Sequence, residues 1–535
     1  MKSIKKILAV ILSMTLMLTL GTAAFGAQKT LPSGKDTGSI NVTNLKPGDT
    51  VTAYQFVKAD YNEYGFTGYS AINNYVKDPV APTAQEVIDM ASNAATMTVA
   101  AEKKVATGDT EVTLNGLPVG YYLVMVTSGS ETVYSPMIAG IYYSKSATDN
   151  TLTNGAISAD SDFEIKAQKC WAKSSTPKLE KTIVTPSSKN SKGDDIAIGD
   201  KITFNLSATV PSYSKEYKKV TYKIYDIMSE GLDYVDGSMK CFIEKYENNR
   251  ENIKVTPKVN GGIIEITFDS KFILEHPGQK IQVEYQAKLN EKAGVNFDAN
   301  INKAYLEYSN NPASGSTAKT GEDKVYVYTF GIDSNLFGKS TEKWNGKTKE
   351  LIKVEEGEYQ WVETEKESGI FTTTTALEGA TFTLTNNKTK KSYTATSDKY
   401  GYLKFTGLDA GEYTLQETDA PDGFTLNDAK HTVVITAEYN QDGTLKSYTI
   451  KIDDKATSTY TATYDKGVIK TITSTKDSQG NISESAILKN SKMSFLPSTG
   501  GVGTTIFAIV GVVFVAAALG LHMILRGKSK LEQDR

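Results

Sequence analysis

Few side chains in this 535-residue chain have the types and spacing that chemistry needs. The three histidines, His276, His431 and His522, are scattered, so neither a metal-ligand cluster nor a Ser-His-Asp arrangement is readable. No phosphate-binding glycine loop follows a strand pattern either, and a turnover enzyme, a cofactor and a bound metal are not expected. Cys170 and Cys241 have the chemistry to pair, but two cysteines carry no connectivity pattern that demands it. The densest signal lies near the C-terminus. Leu496, Pro497, Ser498, Thr499 and Gly500 precede an apolar stretch from Ile506 to Leu525, and Arg526, Lys528 and Lys530 follow it. That stretch is long enough to span a bilayer, and the basic residues after it belong in the cytoplasm. The segment holds the chain in the membrane at the end of export.

The elements around these residues read as an exported all-β chain. Lys2, Lys5 and Lys6, the apolar run from Ile7 to Leu20 and the small residues from Thr22 to Ala27 form a secretory signal. The net charge is -3, with 59 basic against 62 acidic residues, which leaves no cationic surplus for a phosphate backbone and excludes nucleic acid as a partner. Tyrosine, threonine and valine recur in short alternating runs broken by Gly, Asn and Asp, the pattern of strands and turns. A helical pattern is confined to short pieces such as Ala84 to Ala95. The length accommodates three folded units of β-sandwich type. We place them at 28–172, 173–330 and 331–495, between a signal peptide at 1–27 and a C-terminal segment at 496–535.

LPSTG, the apolar span and the basic tail together resemble the cell-wall sorting signal of sortase substrates. The third unit, with EGATFTL, GLDAGEYTL and YTLQETDAP in order, looks like a CnaB-type, prealbumin-like domain. The second, with PKLEKTI, YKIYDIMSEGLDY and INKAYLEY, resembles the isopeptide-forming domain of major pilins. The chain is thus similar to the SpaA-like backbone pilins, with three tandem immunoglobulin-like or CnaB-type sandwiches. The resemblance implies that a sortase thiolate attacks the Thr499 carbonyl and releases Gly500 and the residues beyond it.

It also implies two self-made cross-links. In the second unit the residues are Lys181, Asp226 and Asn302; in the third they are Lys353, Glu417 and Asn490. Each lysine belongs to a first strand, each asparagine to a last one, and the acid lies between. Burial favours a neutral amine and a protonated acid, which would hydrogen-bond the asparagine carboxamide while the amine attacks and ammonia leaves. Lys339 and Lys343 compete with Lys353, which is preferred because ELIKVEE reads as an apolar strand. Asn300 competes with Asn302. In the first unit Val126 stands where Glu417 does in the third, so no cross-link is expected there.

Backbone pilins keep a second reactive lysine at the end of the first domain. Here the corresponding WAKSS makes Lys173 the candidate, with Lys166, Lys169 and Lys178 as alternatives. The partners implied are a pilin-class sortase, a housekeeping sortase, other copies of this chain, accessory pilins and peptidoglycan. A monomeric wall-anchored adhesin that binds a host or matrix ligand is the alternative reading.

Overall fold

The computed structural model describes residues 31–128, 131–145, 156–157, 163–184, 190–246, 249–332, 337–340, 349–355, 358–363, 377–399, 403–453, 456–475 and 486–489. The expected signal peptide, the sorting motif and the apolar stretch after it lie outside these residues. Among the described residues, no helix is long and apolar enough to cross a membrane.

Strand alternation builds each core. In Lys201–Thr209, for example, Ile202, Phe204 and Leu206 are buried while the intervening Thr203 and Asn205 are half-buried, as a period of two requires. In the N-terminal part, the three-stranded sheet of Cys170–Trp171, Thr37–Thr43 and Glu111–Pro118 accompanies a larger sheet centred on Thr50–Asn62 and Gly120–Thr127. Their buried faces meet through Ile40, Val42, Val51, Leu114, Tyr122 and Val124. The short helix forms at Ala84–Ser92, where Thr83 and Glu86 make a reciprocal capping box; a separate 3-10 turn, Ala94–Thr96, takes up residues expected to continue it.

The middle part is a sandwich of two sheets. One runs in the order Leu179–Ile183, Lys201–Thr209, Lys280–Leu289, Lys240–Tyr246 and Asn249–Ile253. The other contains Gly193–Asp195, Asp323–Tyr328, Asn300–Asn311, Tyr222–Met228 and Ile263–Thr267 as successive neighbours. The C-terminal part has a seven-stranded sheet in which Thr381–Asn386, Gly411–Asp419 and Lys430–Tyr439 are adjacent. Among the described residues, three two-stranded sheets accompany it.

The middle and C-terminal parts are tightly joined. Asp195 accepts from the Ala410 amide and the Tyr439 hydroxyl, both at 2.5 Å, and Lys391 reaches the Ile198 carbonyl at 2.6 Å. At the same seam Gly193 and Gly443 approach so closely that a Cβ on Gly193 would lie 2.2 Å from the Gly443 carbonyl oxygen. Gly443 also has a φ of 88°, so only glycine meets both demands there.

Candidate functional site

Four side chains that sequence order scatters over more than a hundred residues meet inside the middle sandwich. Lys181 pairs with Leu206, and Phe204, two residues back, pairs with Tyr285. Alternation therefore puts Lys181, Phe204 and Tyr285 on the same inner face of one sheet. On the other sheet Asp226 pairs with Ala304 and Met228 with Asn302, which puts Asp226 and Asn302 on one face as well. Packing the two faces together brings the set into contact. Lys181, Asp226 and Asn302 are each 0% exposed and Tyr285 only 1%.

The contacts are specific. The Lys181 ammonium is hydrogen-bonded to Asp226 Oδ2, and its Nζ lies 3.1 Å from the Tyr285 hydroxyl. Tyr285 donates to Asp226 Oδ1 at 2.7 Å and accepts from Asn302 Nδ2 at 2.7 Å. The Lys181 nitrogen also stands over the Phe204 and Tyr285 rings, 5.0 and 5.3 Å from their centroids. Burial pushes the Lys181 pKa below its ordinary value, with Asp226 opposing the shift. Burial, then the Asp226 charge, pushes the Tyr285 phenol well up, so it remains a neutral donor and acceptor.

This arrangement differs from the expected one in two respects. Both Asp226 oxygens are engaged by Lys181 and Tyr285, so the acid reaches the carboxamide through the tyrosine rather than directly. The Asn302 Oδ1 is buried with no hydrogen-bond partner. Asn302 is also not in the final strand: Asp323–Tyr328 follows it and pairs with its strand. The competing Asn300 is buried elsewhere, bonded to Gly294 and the Val327 carbonyl.

In the C-terminal part Glu417 is 2% exposed and shares the inward face of its strand with Tyr413 and Leu415. Its Oε2 accepts from the Asn427 amide at 2.8 Å. Asn490 and Lys343 lie outside the described residues. Lys353 lies in Lys349–Glu355, which forms a two-stranded sheet with Glu358–Glu363. It is Lys339, in Phe337–Ser340, whose strand runs parallel to Ala486–Lys489, with Lys339 opposite Leu488. Among the described residues, Phe337–Ser340 is the strand paired with Ala486–Lys489, the segment that precedes Asn490 in sequence.

Lys173 is exposed at the junction between the first two parts. Its neighbour Ala172 is fully buried, with its amide bonded to the Thr43 carbonyl and its own carbonyl to Asn44 Nδ2, while the Lys173 carbonyl accepts from Ser135. Lys169 and Lys178 are exposed too, and Lys166 is half-buried. Cys170 and Cys241 are unpaired and buried in different cores, and burial pushes both thiols up to about 12. Among the described residues, no group of His, Cys, Asp and Glu is placed to hold a metal ion.

Three family descriptions match this chain: a T6 antigen Ig-like domain over residues 35–174, a SpaA prealbumin-like fold domain over 370–451 and an LPXTG cell wall anchor motif over 489–530. The "Trypsin-resistant surface T6 protein" of Streptococcus pyogenes serotype M6 is 26% identical over 549 aligned positions, covering 93% of this chain and 96% of the relative. This chain carries an LPXTG anchor and is a surface protein. The solved T6 backbone pilin of serotype M6 S. pyogenes, described as a modular three-domain structure, shares its fold with a TM-score of 0.57 at 21% identity, over 86% of this chain and all of that one. The protein is attached covalently to the cell wall.

Proposed function

We propose that this protein is the structural subunit of a covalent surface pilus, polymerised and wall-anchored by sortases and locked internally by lysine–asparagine amide bonds. The observation that carries the reading is the buried meeting of Lys181, Asp226 and Asn302 in a chain with a wall-sorting motif. Lys181, depressed toward the neutral amine by burial, attacks the Asn302 carboxamide carbon and ammonia leaves. Folding supplies the proximity, for which effective molarities reach about 10⁵ M or more. The resulting bond closes residues 181–302 into a loop, removes unfolded-state entropy and lets tension bypass the hydrogen bonds between strands.

In the third unit the strand register supports Lys339 as the amine. Its strand, Phe337–Ser340, pairs in parallel with Ala486–Lys489, and the buried Glu417 supplies the acid. Lys353 is the second candidate. We take the processed chain as three units, 28–172, 173–330 and 331–495, between the signal at 1–27 and the sorting segment at 496–535, with no cross-link in the first.

Polymerisation uses Thr499 as acyl donor and the exposed Lys173 of the next copy as acceptor. A pilin-class sortase forms that bond, a housekeeping sortase transfers the finished chain to peptidoglycan, and accessory pilins join the same fibre. The protein itself is consumed as substrate and turns over nothing. Wall extracts should contain an SDS-resistant ladder of this protein, and Lys173→Arg should remove the ladder while monomer still reaches the wall. A monomeric adhesin would give no ladder from the unmodified chain, and survival of the ladder in Lys173→Arg would move the acceptor to Lys169 or Lys178.

A further inference from the structure

Resting on the cross-linking reaction just proposed, we infer that Tyr285 is a catalytic member of the middle sandwich, the proton relay between Asp226 and the departing Asn302 nitrogen. The hydroxyl is the single group that contacts all three of the others: Lys181 Nζ, Asp226 Oδ1 and Asn302 Nδ2. Asp226 has no hydrogen bond to the carboxamide, so a proton bound for the leaving nitrogen has to pass through the phenol. All four side chains are buried, which shields that transfer from bulk solvent.

The step balances as follows. The Lys181 ammonium gives one proton to Asp226, and the neutral Nζ adds to the Asn302 carboxamide carbon to form the new C–N bond. Asp226 passes its proton to the Tyr285 oxygen as Tyr285 passes its own to Nδ2, which gains basicity once the carbon is tetrahedral. The C–Nδ2 bond then breaks and ammonia leaves. The second proton shed by Nζ remains on Asp226. Tyr285 ends as it began, a neutral phenol, which is the form its raised pKa enforces throughout. Phe204, whose ring is tilted 41° to that of Tyr285 with centroids 5.5 Å apart, lies under the Lys181 nitrogen and supplies the apolar wall on the other side.

The test is a time course on the mature chain, residues 28–499, made by cell-free synthesis so that the clock starts with an unreacted protein. The Lys181–Asn302 cross-linked peptide is quantified by mass spectrometry. Tyr285→Phe keeps the ring and removes only the hydroxyl, and it should slow cross-linking by roughly 10²-fold, the scale of a lost general acid–base group. A second pair of chains separates chemistry from packing: Asn302→Ala alone and with Tyr285→Phe, neither able to cross-link, should melt alike. A Tyr285→Phe rate equal to that of the unmodified chain overturns the relay. So does a melting loss in the paired chains as large as the rate effect requires, or a failure of the double variant to fold, because the hydroxyl would then be structural. If the unmodified chain itself never loses ammonia at this site, the cross-linking reaction fails and takes the relay with it.

Discussion

The first and middle sandwiches use the same strand chemistry to opposite ends. In the first, Asp49 accepts from the Tyr134 hydroxyl at 2.6 Å and the Lys46 amide at 2.8 Å, and the Tyr143 hydroxyl donates to Asp36 at 2.7 Å, while the buried Tyr69 hydroxyl has no hydrogen-bond partner. Among the described residues this sandwich buries no lysine, and alignment of GYYLVMV with GEYTLQE sets the buried Val126 against Glu417. In the middle sandwich a lysine, a carboxyl and a carboxamide are sealed in the core, with a carboxamide oxygen left unpartnered. A buried charge pair is a poor way to stabilise a fold, because desolvation cancels much of its Coulomb gain. It is a good way to set up a reaction whose product, an amide, no longer ionises. On the proposed reaction, the middle core holds an amine, an acid and a carboxamide together, whereas among the described residues the first core buries no lysine that could react.

The largest break in this contrast should come from Asp226→Ala. It should abolish the ammonia loss at Lys181 and Asn302 and strand the lysine without its partner. We expect the loss of a loop constraint of about 4–5 kcal/mol, on the scale of a hundred-residue loop, plus about 3–5 kcal/mol for the orphaned charge. Differential scanning calorimetry of the mature chain should report this as a lowered transition of the middle sandwich alone.

The reverse change, Val126→Glu, places an acid in the first sandwich where no buried lysine faces it. It should lower the stability of that sandwich by about 3 kcal/mol without any new ammonia loss, read by chemical denaturation and intact mass. A gain of cross-linking there would show that an acid alone suffices and would erase the distinction.

The third unit sharpens the comparison. Lys339→Arg should remove its ammonia loss and Lys353→Arg should leave it intact, as judged by peptide mapping; the opposite pattern would restore the reading from local sequence.

The smallest effect concerns pH. The folded Lys181 pKa is lowered, so below the ordinary value of 10.5 the unfolded chain holds more protons at this residue than the folded one. Stability of a chain unable to cross-link, Asn302→Ala, should therefore rise with pH through the window between the depressed value and 10.5, a shift readable by urea denaturation at successive pH values.

Much of this site was legible from residue order. Lys181, Asp226 and Asn302 are found through PKLEKTI, YKIYDIM and INKAYLEY, and the strands containing them form close to where alternation places them. Tyr285 was not legible. In a chain with 30 tyrosines, IQVEYQAKL reads as an ordinary core strand, and only the register of Lys280–Leu289 against Lys201–Thr209 aims that hydroxyl at Lys181. The third unit's strand pairing shows the same limit. ELIKVEE does form a strand, as its apolar pattern suggests, but which strand pairs with Ala486–Lys489 depends on residues more than a hundred positions away. Local pattern determines that a strand exists, and long-range pairing determines what it faces.

The central claim is that this protein closes its own cores with covalent bonds, and intact-mass spectrometry of the mature chain tests it most directly. The account predicts a mass below that of the sequence by two ammonia molecules, one mapping to a peptide that joins Lys181 to Asn302 and the other to the third unit. A mass equal to that of the unmodified sequence would contradict it.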